Sequence, residues 1–148
     1  MMENVIRIYM AAYAHKIKDR LVIFDGVCNL CNGTVQFLIR RDRGKRFLFA
    51  TYQSEAGRNI LQQHGFLPTE ISTVVYVKNG IPYAQSRAIL EIFRDLGCCW
   101  NLLYILIAIP PIIRDFIYRY IAKNRYNLFG RRESCMVPDS EIMDRFLQ

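Results

Sequence analysis

The sequence predicts one domain of the α/β class, and three observations support this prediction. The chain has 148 residues, of which 52% are hydrophobic and 22% are charged, and this suits a single compact domain with its own core. Short runs of β-forming residues alternate with segments whose apolar residues recur at helical spacing. No internal repeat and no linker rich in Pro, Gly or Ser interrupts residues 1–148, so we expect no second domain.

The first elements are predicted to form a β-α-β unit. Leu21–Phe24 is a short apolar run rich in β-forming residues, which is typical of a buried strand. Val35, Leu38 and Ile39 then recur at helical spacing, and a polar, arginine-rich run follows them. Residues 47–50 form the second predicted strand, whereas residues 1–20 precede the unit as an N-terminal extension.

A helix and a β-hairpin are predicted next. Ser54 is suited to cap a helix over residues 55–64. Residues 73–77 are the strongest predicted strand of the chain, and Asn79-Gly80 marks a tight turn into Ile81–Ala84.

The last helix of this series is predicted to begin with Ser86 as its cap and to end at Gly97. The resulting order is strand, helix, strand, helix, hairpin, helix. A β-α-β unit followed by a hairpin and a packing helix is a thioredoxin-like arrangement, so we expect this fold within the α/β class.

Residues 98–148 are predicted to be a helical addition to that fold. Residues 100–109 form one apolar helical segment, and Pro110-Pro111 end it and begin an amphipathic helix. The polar stretch from Asn124 onward is predicted to be a loop, with a short helix over residues 140–147.

Two stretches have some features of targeting or membrane segments. Residues 1–13 contain Glu3 and Arg7 and lack a small-residue cleavage site, which argues against a secretory signal. Residues 102–113 are apolar, but a spanning helix needs about 20 apolar residues. We therefore expect a buried core segment with no stable membrane insertion; a peripheral membrane contact is the alternative.

The pair Cys28-Asn29-Leu30-Cys31 is the sharpest chemical signal. It follows a buried strand and begins a helix, where free backbone N–H groups and the helix dipole stabilise an anion. The thiolate is the attacking species in disulfide exchange, and this spacing lets the second sulfur reach the first. We predict that Cys28, at the exposed end, is the nucleophile and that Cys31, one turn further in, resolves the mixed disulfide.

Two other interpretations of the pair stay open at this point. Paired cysteines at this spacing also bind zinc, but a second pair with ligand spacing is missing, since Cys98-Cys99 are adjacent and Cys135 stands alone. The pair is otherwise compatible with two core cysteines beside a turn. Cys98 and Cys99 themselves are predicted to serve in packing.

The segment Asp25-Gly26-Val27-Cys28-Asn29-Leu30-Cys31 resembles the D-G-x-C-x-x-C signature of the DCC family of predicted thiol-disulfide oxidoreductases. Further matches follow in order at Ser86-Arg87-Ala88, Arg114-Asp115 with Tyr118, Asn124-Arg125-Tyr126, and Cys135. The resemblance implies a thioredoxin-like fold and disulfide exchange by Cys28 and Cys31. Thioredoxins have a cis-proline where Ser72 stands here, so the substrate groove at Ser72 is expected to differ.

Three residues are candidates for supporting roles beside the pair. Asp25 is expected to relay protons for Cys31, to fix the loop by accepting backbone N–H bonds or, more simply, to form the turn before Gly26. A non-proline cis bond costs about 2.5–4 kcal/mol, so a trans bond is expected at Ser72. Cys135 is either a third redox thiol or an ordinary surface cysteine.

The composition limits the partners of the protein. The formal charge of +7 and the basic runs are expected to form a solvated basic face; no nucleic-acid motif accompanies them, so nucleic acid is not an expected partner. Five cysteines are too few for a disulfide-stapled scaffold, which indicates a reducing compartment, and the cytoplasm is predicted. The expected partners are protein or small-molecule disulfides or thiols and an electron-donating thiol system, with no metal or organic cofactor.

Two other functions remain alternatives to thiol-disulfide exchange. One is a thioredoxin-fold binding module without turnover, which would dock through the groove at Ser72 or through the basic face. The other is a binder of nucleic acid or of a membrane surface.

Overall fold

A computed structural model describes residues 4, 20–67, 73–134 and 137–147 of the chain. Within these ranges, five strands form one sheet in the order β4-β3-β1-β2-β5. Their bounds are β1 (Leu21–Phe24), β2 (Leu48–Thr51), β3 (Val75–Lys78), β4 (Ile81–Ala84) and β5 (Phe146–Leu147).

Four α-helices connect and cover the strands in the part of the chain that the structure describes. They are α1 (Asn29–Arg41), α2 (Glu55–Gln63), α3 (Gln85–Leu96) and α4 (Pro111–Phe129). Two 3₁₀ helices, Cys98–Ala108 and Met143–Arg145, lie before α4 and before β5.

The sheet has the strand directions of a thioredoxin-like fold. The central strand β1 runs parallel to β2 and antiparallel to β3, and β3 pairs with β4 in the hairpin. β5 adds a parallel strand beside β2. The predicted α/β class and thioredoxin-like fold are therefore confirmed.

The core lies on both faces of the sheet because successive strand residues point to opposite sides. Val22 and Phe24 of β1 pack with residues of α1 and α3 on one face. Leu21 and Ile23 pack with α2 on the other face. The result is a sheet between two helical layers, with α4 against α3 and α1 on the first side.

Most predicted elements of the first hundred residues are present with small shifts at their ends. Ser54 Oγ caps α2 by accepting the Gly57 N–H at 3.0 Å, as predicted. At the hairpin turn, Asn79 and Gly80 have φ values of 51° and 78°. Two positive φ values are required by a type I′ turn, which explains the preference for Asn-Gly at this point.

The prediction that Ser86 caps its helix is wrong. α3 begins one residue earlier, at Gln85, and Ala84 at the cap position makes no side-chain hydrogen bond. The Ser86 hydroxyl instead donates to the carboxylate of Asp115 in α4. This cross-helix bond occupies the hydroxyl that a cap would use.

Two predictions for the C-terminal region are also wrong. The predicted loop from Asn124 onward begins only at Gly130, because α4 continues to Phe129. Residues 140–147 contain a single 3₁₀ turn and then strand β5. Arg145 fixes this strand, since its guanidinium donates to buried Asp42 at 2.6 Å and to the Phe47 carbonyl at 3.2 Å.

The apolar segment after α3 is exposed, which contradicts the prediction of a buried core segment. Leu102 and Ile105 of the 3₁₀ helix are 71% and 75% exposed, and Ile112 and Phe116 of α4 are 82% and 67% exposed. The inner side of this segment is held by α3, which leaves its apolar side chains facing outward. Six of these side chains are called the apolar surface: Leu102, Ile105, Ile112, Ile113, Phe116 and Ile117.

Cys98 and Cys99 are likewise exposed at the start of the 3₁₀ helix, so the prediction that they serve in packing is wrong. Among the described residues, no single helix is long and apolar enough to cross a membrane. The 3₁₀ helix and α4 reach that length and composition only as a pair, which is bent by 117°.

Candidate active site

Cys28 lies at the junction of β1 and α1, where the sequence predicted it. It is the N-cap residue of α1, with extended backbone angles (φ −84°, ψ 123°). Its Sγ accepts the backbone N–H of Cys31 at 3.4 Å. The Cys28 sulfur thus takes the place of a cap oxygen and meets one of the free N–H groups of the helix terminus. Cys28 and Cys31 are both free thiols.

Neither sulfur lies at an exposed end. Cys28 is 0% exposed and Cys31 is 6% exposed, so the prediction of an exposed Cys28 is wrong. A segment that follows α4, residues 130–132, which we call the strap, pairs with the motif. The strap runs antiparallel to the motif: Asn29 N–H donates to the Gly130 carbonyl at 3.3 Å, and Arg132 N–H donates to the Val27 carbonyl at 2.7 Å.

Gly130 is the favoured residue type at the start of the strap. Its φ is +84°, a conformation that side chains rarely adopt. A Cβ at this position would lie 2.9 Å from Asn29 Nδ2. That same amide donates to the Phe129 carbonyl at 2.9 Å, so a side chain at position 130 would displace the Asn29 amide from this hydrogen bond.

Asp25 is buried beneath the motif loop and is held by four groups. Its Oδ1 accepts the Val27 N–H at 3.1 Å and the Gln53 amide at 2.9 Å. Its Oδ2 accepts Arg125 Nη2 at 2.9 Å and the hydroxyl of Tyr126. Burial pushes the pKa of Asp25 upward, but these hydrogen bonds and the Arg125 charge outweigh it, and the pKa lies below its ordinary value. Asp25 is therefore a carboxylate at neutral pH.

Cys31 has a strongly perturbed thiol. Burial raises the pKa of Cys31 to about 12, and the adjacent Cys28 sulfur adds to the increase, while the positive charge of Arg125 opposes it. Cys31 is thus a protonated thiol at physiological pH.

A second contact from α4 fixes the chain just before β3. The Tyr118 hydroxyl accepts the Val74 N–H and the Thr73 hydroxyl, both at 2.9 Å. Thr73 Oγ1 in turn accepts the Gln85 N–H at 3.0 Å. Ser72 precedes this point but lies outside the described residues, as does Cys135.

The polar residues matched in the family resemblance form a network along the inner side of α4. Asp115 accepts from Ser86, Tyr118 holds the start of β3, and Arg125 and Tyr126 bind Asp25. Arg114 donates to the Ile109 carbonyl at 2.9 Å and to Ser86 Oγ at 3.4 Å. These contacts join α4 to the rest of the domain and to the motif loop.

Two residues that directly follow β2 belong to the site and were not predicted from the sequence. Gln53 bridges Asp25 and the Gly26 N–H, to which its Oε1 is bound at 3.1 Å. Tyr52 is buried, its hydroxyl has no hydrogen-bond partner among the described residues, and burial raises its pKa. One signal was available: β1 and β2 are parallel, so the residues that follow them meet at the same edge of the sheet.

No group of three or more His, Cys, Asp or Glu side chains placed to hold a metal ion lies within the described ranges. The zinc alternative therefore gains no third ligand from the residues around Cys28 and Cys31.

Comparison with known proteins places this site in a family. Residues 22–131 match the model of the DCC1-like thiol-disulfide oxidoreductases. The chain is 41% identical to the uncharacterized protein YuxK of Bacillus subtilis (strain 168), over 90% of this chain and 98% of that protein. It is 40% identical to the DCC family protein At1g52590, chloroplastic, of Arabidopsis thaliana, over 84% of this chain and 73% of that protein.

No solved structure shows significant similarity to the chain. The matched region nevertheless contains the Cys28 motif, the whole of α4 and the first two strap residues. The resemblance seen in the motif is confirmed, and the chain belongs to the DCC1-like thiol-disulfide oxidoreductase family.

Proposed function

We propose that the protein exchanges disulfides through Cys28 and Cys31, with Cys28 as the nucleophile. The observation that supports this most is the position of Cys28 Sγ as the cap of α1, where it accepts the Cys31 N–H. A hydrogen bond from a backbone N–H at a helix terminus favours the thiolate over the thiol.

The proposed reaction has two steps. The Cys28 thiolate attacks one sulfur of a substrate disulfide, the substrate S–S bond breaks, and the departing thiolate takes up a proton. Cys31 then gives its proton to solvent and attacks the Cys28 sulfur, which forms the Cys28–Cys31 disulfide; the second substrate sulfur leaves as a thiolate and takes up a proton from solvent. Two electrons pass from the cysteine pair to the substrate, and an external thiol system returns them; the reverse sequence would oxidise a dithiol.

The different environments of the two thiols fit this order. Burial and the Cys28 sulfur raise the pKa of Cys31, so Cys31 keeps its proton while Cys28 reacts. Once Cys28 is in a mixed disulfide, its charge is lost and its contribution to the Cys31 pKa disappears. The positive charge of Arg125 then favours the Cys31 thiolate that the second step needs.

Access to Cys28 requires the strap to move. A substrate sulfur must approach Cys28 Sγ, which is fully covered. Two backbone hydrogen bonds join the strap to the motif, from Asn29 to Gly130 and from Arg132 to Val27. Each such bond contributes only about 0.5–1.5 kcal/mol net, so we infer that the strap opens at modest cost.

Asp25 is proposed to position the loop rather than to relay protons. Its pKa lies below the ordinary value, so at neutral pH it has no proton to donate and is a weaker base than an ordinary carboxylate. Its bonds to Val27 and Arg125 fix the residue before Cys28 and the cation beside Cys31. Ser72 and Cys135 remain proposed supporting residues, for the substrate groove and for a third thiol.

A reducing compartment suits this chemistry, and we propose the cytoplasm for this chain. One relative carries the word chloroplastic in its name.

The test uses a model disulfide and three single variants. Cys31→Ser is expected to accumulate a mixed disulfide at Cys28, detectable by mass mapping, because the resolving thiol is missing. Cys28→Ser is expected to form none, and Cys98→Ser, which alters an exposed cysteine, serves as the matched control. Normal turnover by Cys31→Ser would contradict the proposed mechanism.

The burial of both sulfur atoms favours one alternative, a thioredoxin-fold binding module without turnover. That function predicts that Cys28 and Cys31 form no reducible disulfide and react with an alkylating reagent only on unfolding. Alkylation of Cys28 in the folded protein, at a rate far above global unfolding, would exclude it.

A further inference from the structure

We propose that the protein binds the surface of an anionic membrane through its apolar surface, with the 3₁₀ helix Cys98–Ala108 and α4 lying in the plane of the interface. This interaction is separate from the cysteine chemistry, because the apolar surface contains neither Cys28 nor Cys31.

The exposed apolar area is continuous along the sequence and unbroken by charge. No charged residue occurs between Asp95 and Arg114. Leu102 and Ile105 project from the 3₁₀ helix, and Ile112 and Phe116 project from α4, all more than half exposed. Contiguous exposed apolar patches of this kind mark interaction surfaces, whereas single exposed apolar residues are ordinary.

The inner side of the same segment is held firmly. Tyr104 donates to buried Glu91 of α3 at 3.2 Å, and the Arg94 guanidinium lies 4.7 Å from the Tyr104 ring centroid. Arg114 spans the bend by donating to the Ile109 carbonyl. The apolar side chains therefore point outward from a fixed framework.

The cations on α4 indicate which kind of partner the apolar surface binds. Arg119 and Lys123 follow Phe116 at helical spacing, so they continue the stripe that Ile112 and Phe116 begin, and both are exposed. The only acid of α4, Asp115, accepts from Ser86. An apolar stripe that ends in exposed cations is the pattern of helices that lie in an anionic interface, where long cationic side chains reach the headgroups.

A second basic feature adjoins the other end of the segment. Arg40, Arg41, Arg43 and Arg46 line an open groove of about 680 Å³ together with Trp100. Exposed aromatic residues such as Tyr120 favour the headgroup level of a membrane. A second copy of this chain would bring the same positive charge, of a chain with net charge +7, against this face, so an anionic membrane is the better match.

Sedimentation of the full chain with lipid vesicles tests the proposal. We expect the chain to bind vesicles that mix phosphatidylcholine with phosphatidylglycerol, and to bind pure phosphatidylcholine far more weakly. Ile105→Glu is expected to weaken binding about tenfold or more. Arg119→Ala and Lys123→Ala are each expected to weaken it about fivefold at low salt.

Ile81→Glu is the matched control, because Ile81 is an exposed isoleucine on strand β4, outside the apolar surface. A double variant with Cys28→Ser and Cys31→Ser is expected to bind vesicles normally, which separates this proposal from the proposed chemistry. Failure of the wild-type chain to bind the anionic vesicles would overturn the proposal. So would equal weakening by Ile105→Glu and Ile81→Glu, or an Ile105→Glu variant that only converts an oligomer into a monomer.

Discussion

Helices α3 and α4 pack against the domain with different faces: α3 packs its apolar face, whereas α4 packs a polar face. α3 buries Ile92 and Leu96 against the sheet, as most surface helices do. α4 turns Tyr118 and Arg125 inward and leaves Phe116 exposed. Among the described residues of α4, only Arg125 is buried.

The difference shows that the partners of a helix decide which of its faces is inside. The domain offers α3 an apolar sheet face, so burial of apolar side chains stabilises the contact. It offers α4 the Asp25 carboxylate, the Ser86 hydroxyl and the backbone N–H of Val74, which only polar side chains can pair. α3 therefore stabilises the domain through apolar burial, whereas α4 is held by polar contacts that surround the cysteines and leaves an apolar face free.

The largest expected effect compares one isoleucine from each helix. Ile92→Ala in α3 is expected to lower the free energy of unfolding by about 3–4 kcal/mol, because it leaves a cavity in the core. Ile112→Ala in α4 is expected to change it by less than about 0.5 kcal/mol, since its side chain is exposed. Urea denaturation measures both values, and equal losses would contradict the opposite orientation of the two helices.

The next effect concerns the buried cation of α4. Arg125→Ala is expected to cost about 3 kcal/mol, because it leaves the Asp25 carboxylate buried without its charge partner. Arg119→Ala, on the exposed side of the same helix, is the matched control and is expected to cost less than about 0.5 kcal/mol. A loss as small as that of the control would show that Arg125 does not hold α4 to the motif loop.

A smaller effect is expected from acid. The pKa of Asp25 in the folded protein lies below its ordinary value of 3.8, so folding favours the carboxylate. This stabilisation is fully present above pH 3.8 and is lost as the pH falls through the folded-state pKa. Asp25→Asn should therefore unfold with a weaker dependence on pH below 3.8 than the wild type. If the free energy of unfolding of the two proteins changed with pH in the same way, the ion pair between Asp25 and Arg125 would be contradicted.

The smallest expected change in stability comes from the strap. Gly130→Ala is expected to cost about 1–2 kcal/mol from its positive φ, and its Cβ would also collide with Asn29. Gly65→Ala is the matched control, because Gly65 has a φ of +80° but open space around it. Only Gly130→Ala is expected to speed alkylation of Cys28 in the folded protein; equal alkylation rates in the two variants would show that the strap does not shield Cys28.

The sequence allowed much of the fold to be predicted, and the reasons are local. The apolar, β-forming residues of Leu21–Phe24 indicate a strand, and Asn79-Gly80 indicates a tight turn. The cysteine motif directly follows that strand, so it could be placed at the start of α1. β5 was missed because two residues, Phe146–Leu147, are too few for a pattern. Its position depends on Arg145 reaching Asp42, 103 residues away.

The cysteines of the candidate site could be predicted from the sequence, whereas the strap could not. The i, i+3 spacing of Cys28 and Cys31 is visible in the chain, as is the match of Arg125-Tyr126 to the family. That Arg125 binds Asp25 across 100 residues is a tertiary fact. The same holds for the strap, which pairs with the motif through backbone hydrogen bonds that no side-chain pattern indicates.

A redox titration of the wild-type chain, with mass mapping of its disulfides, tests the central claim most directly. Thiol-disulfide exchange by the pair predicts one reversible two-electron transition, in which a bond between Cys28 and Cys31 forms and is reduced again, and which is absent from Cys28→Ser and Cys31→Ser. Two thiols at Cys28 and Cys31 that stay reduced across the whole range of buffer potentials would contradict it.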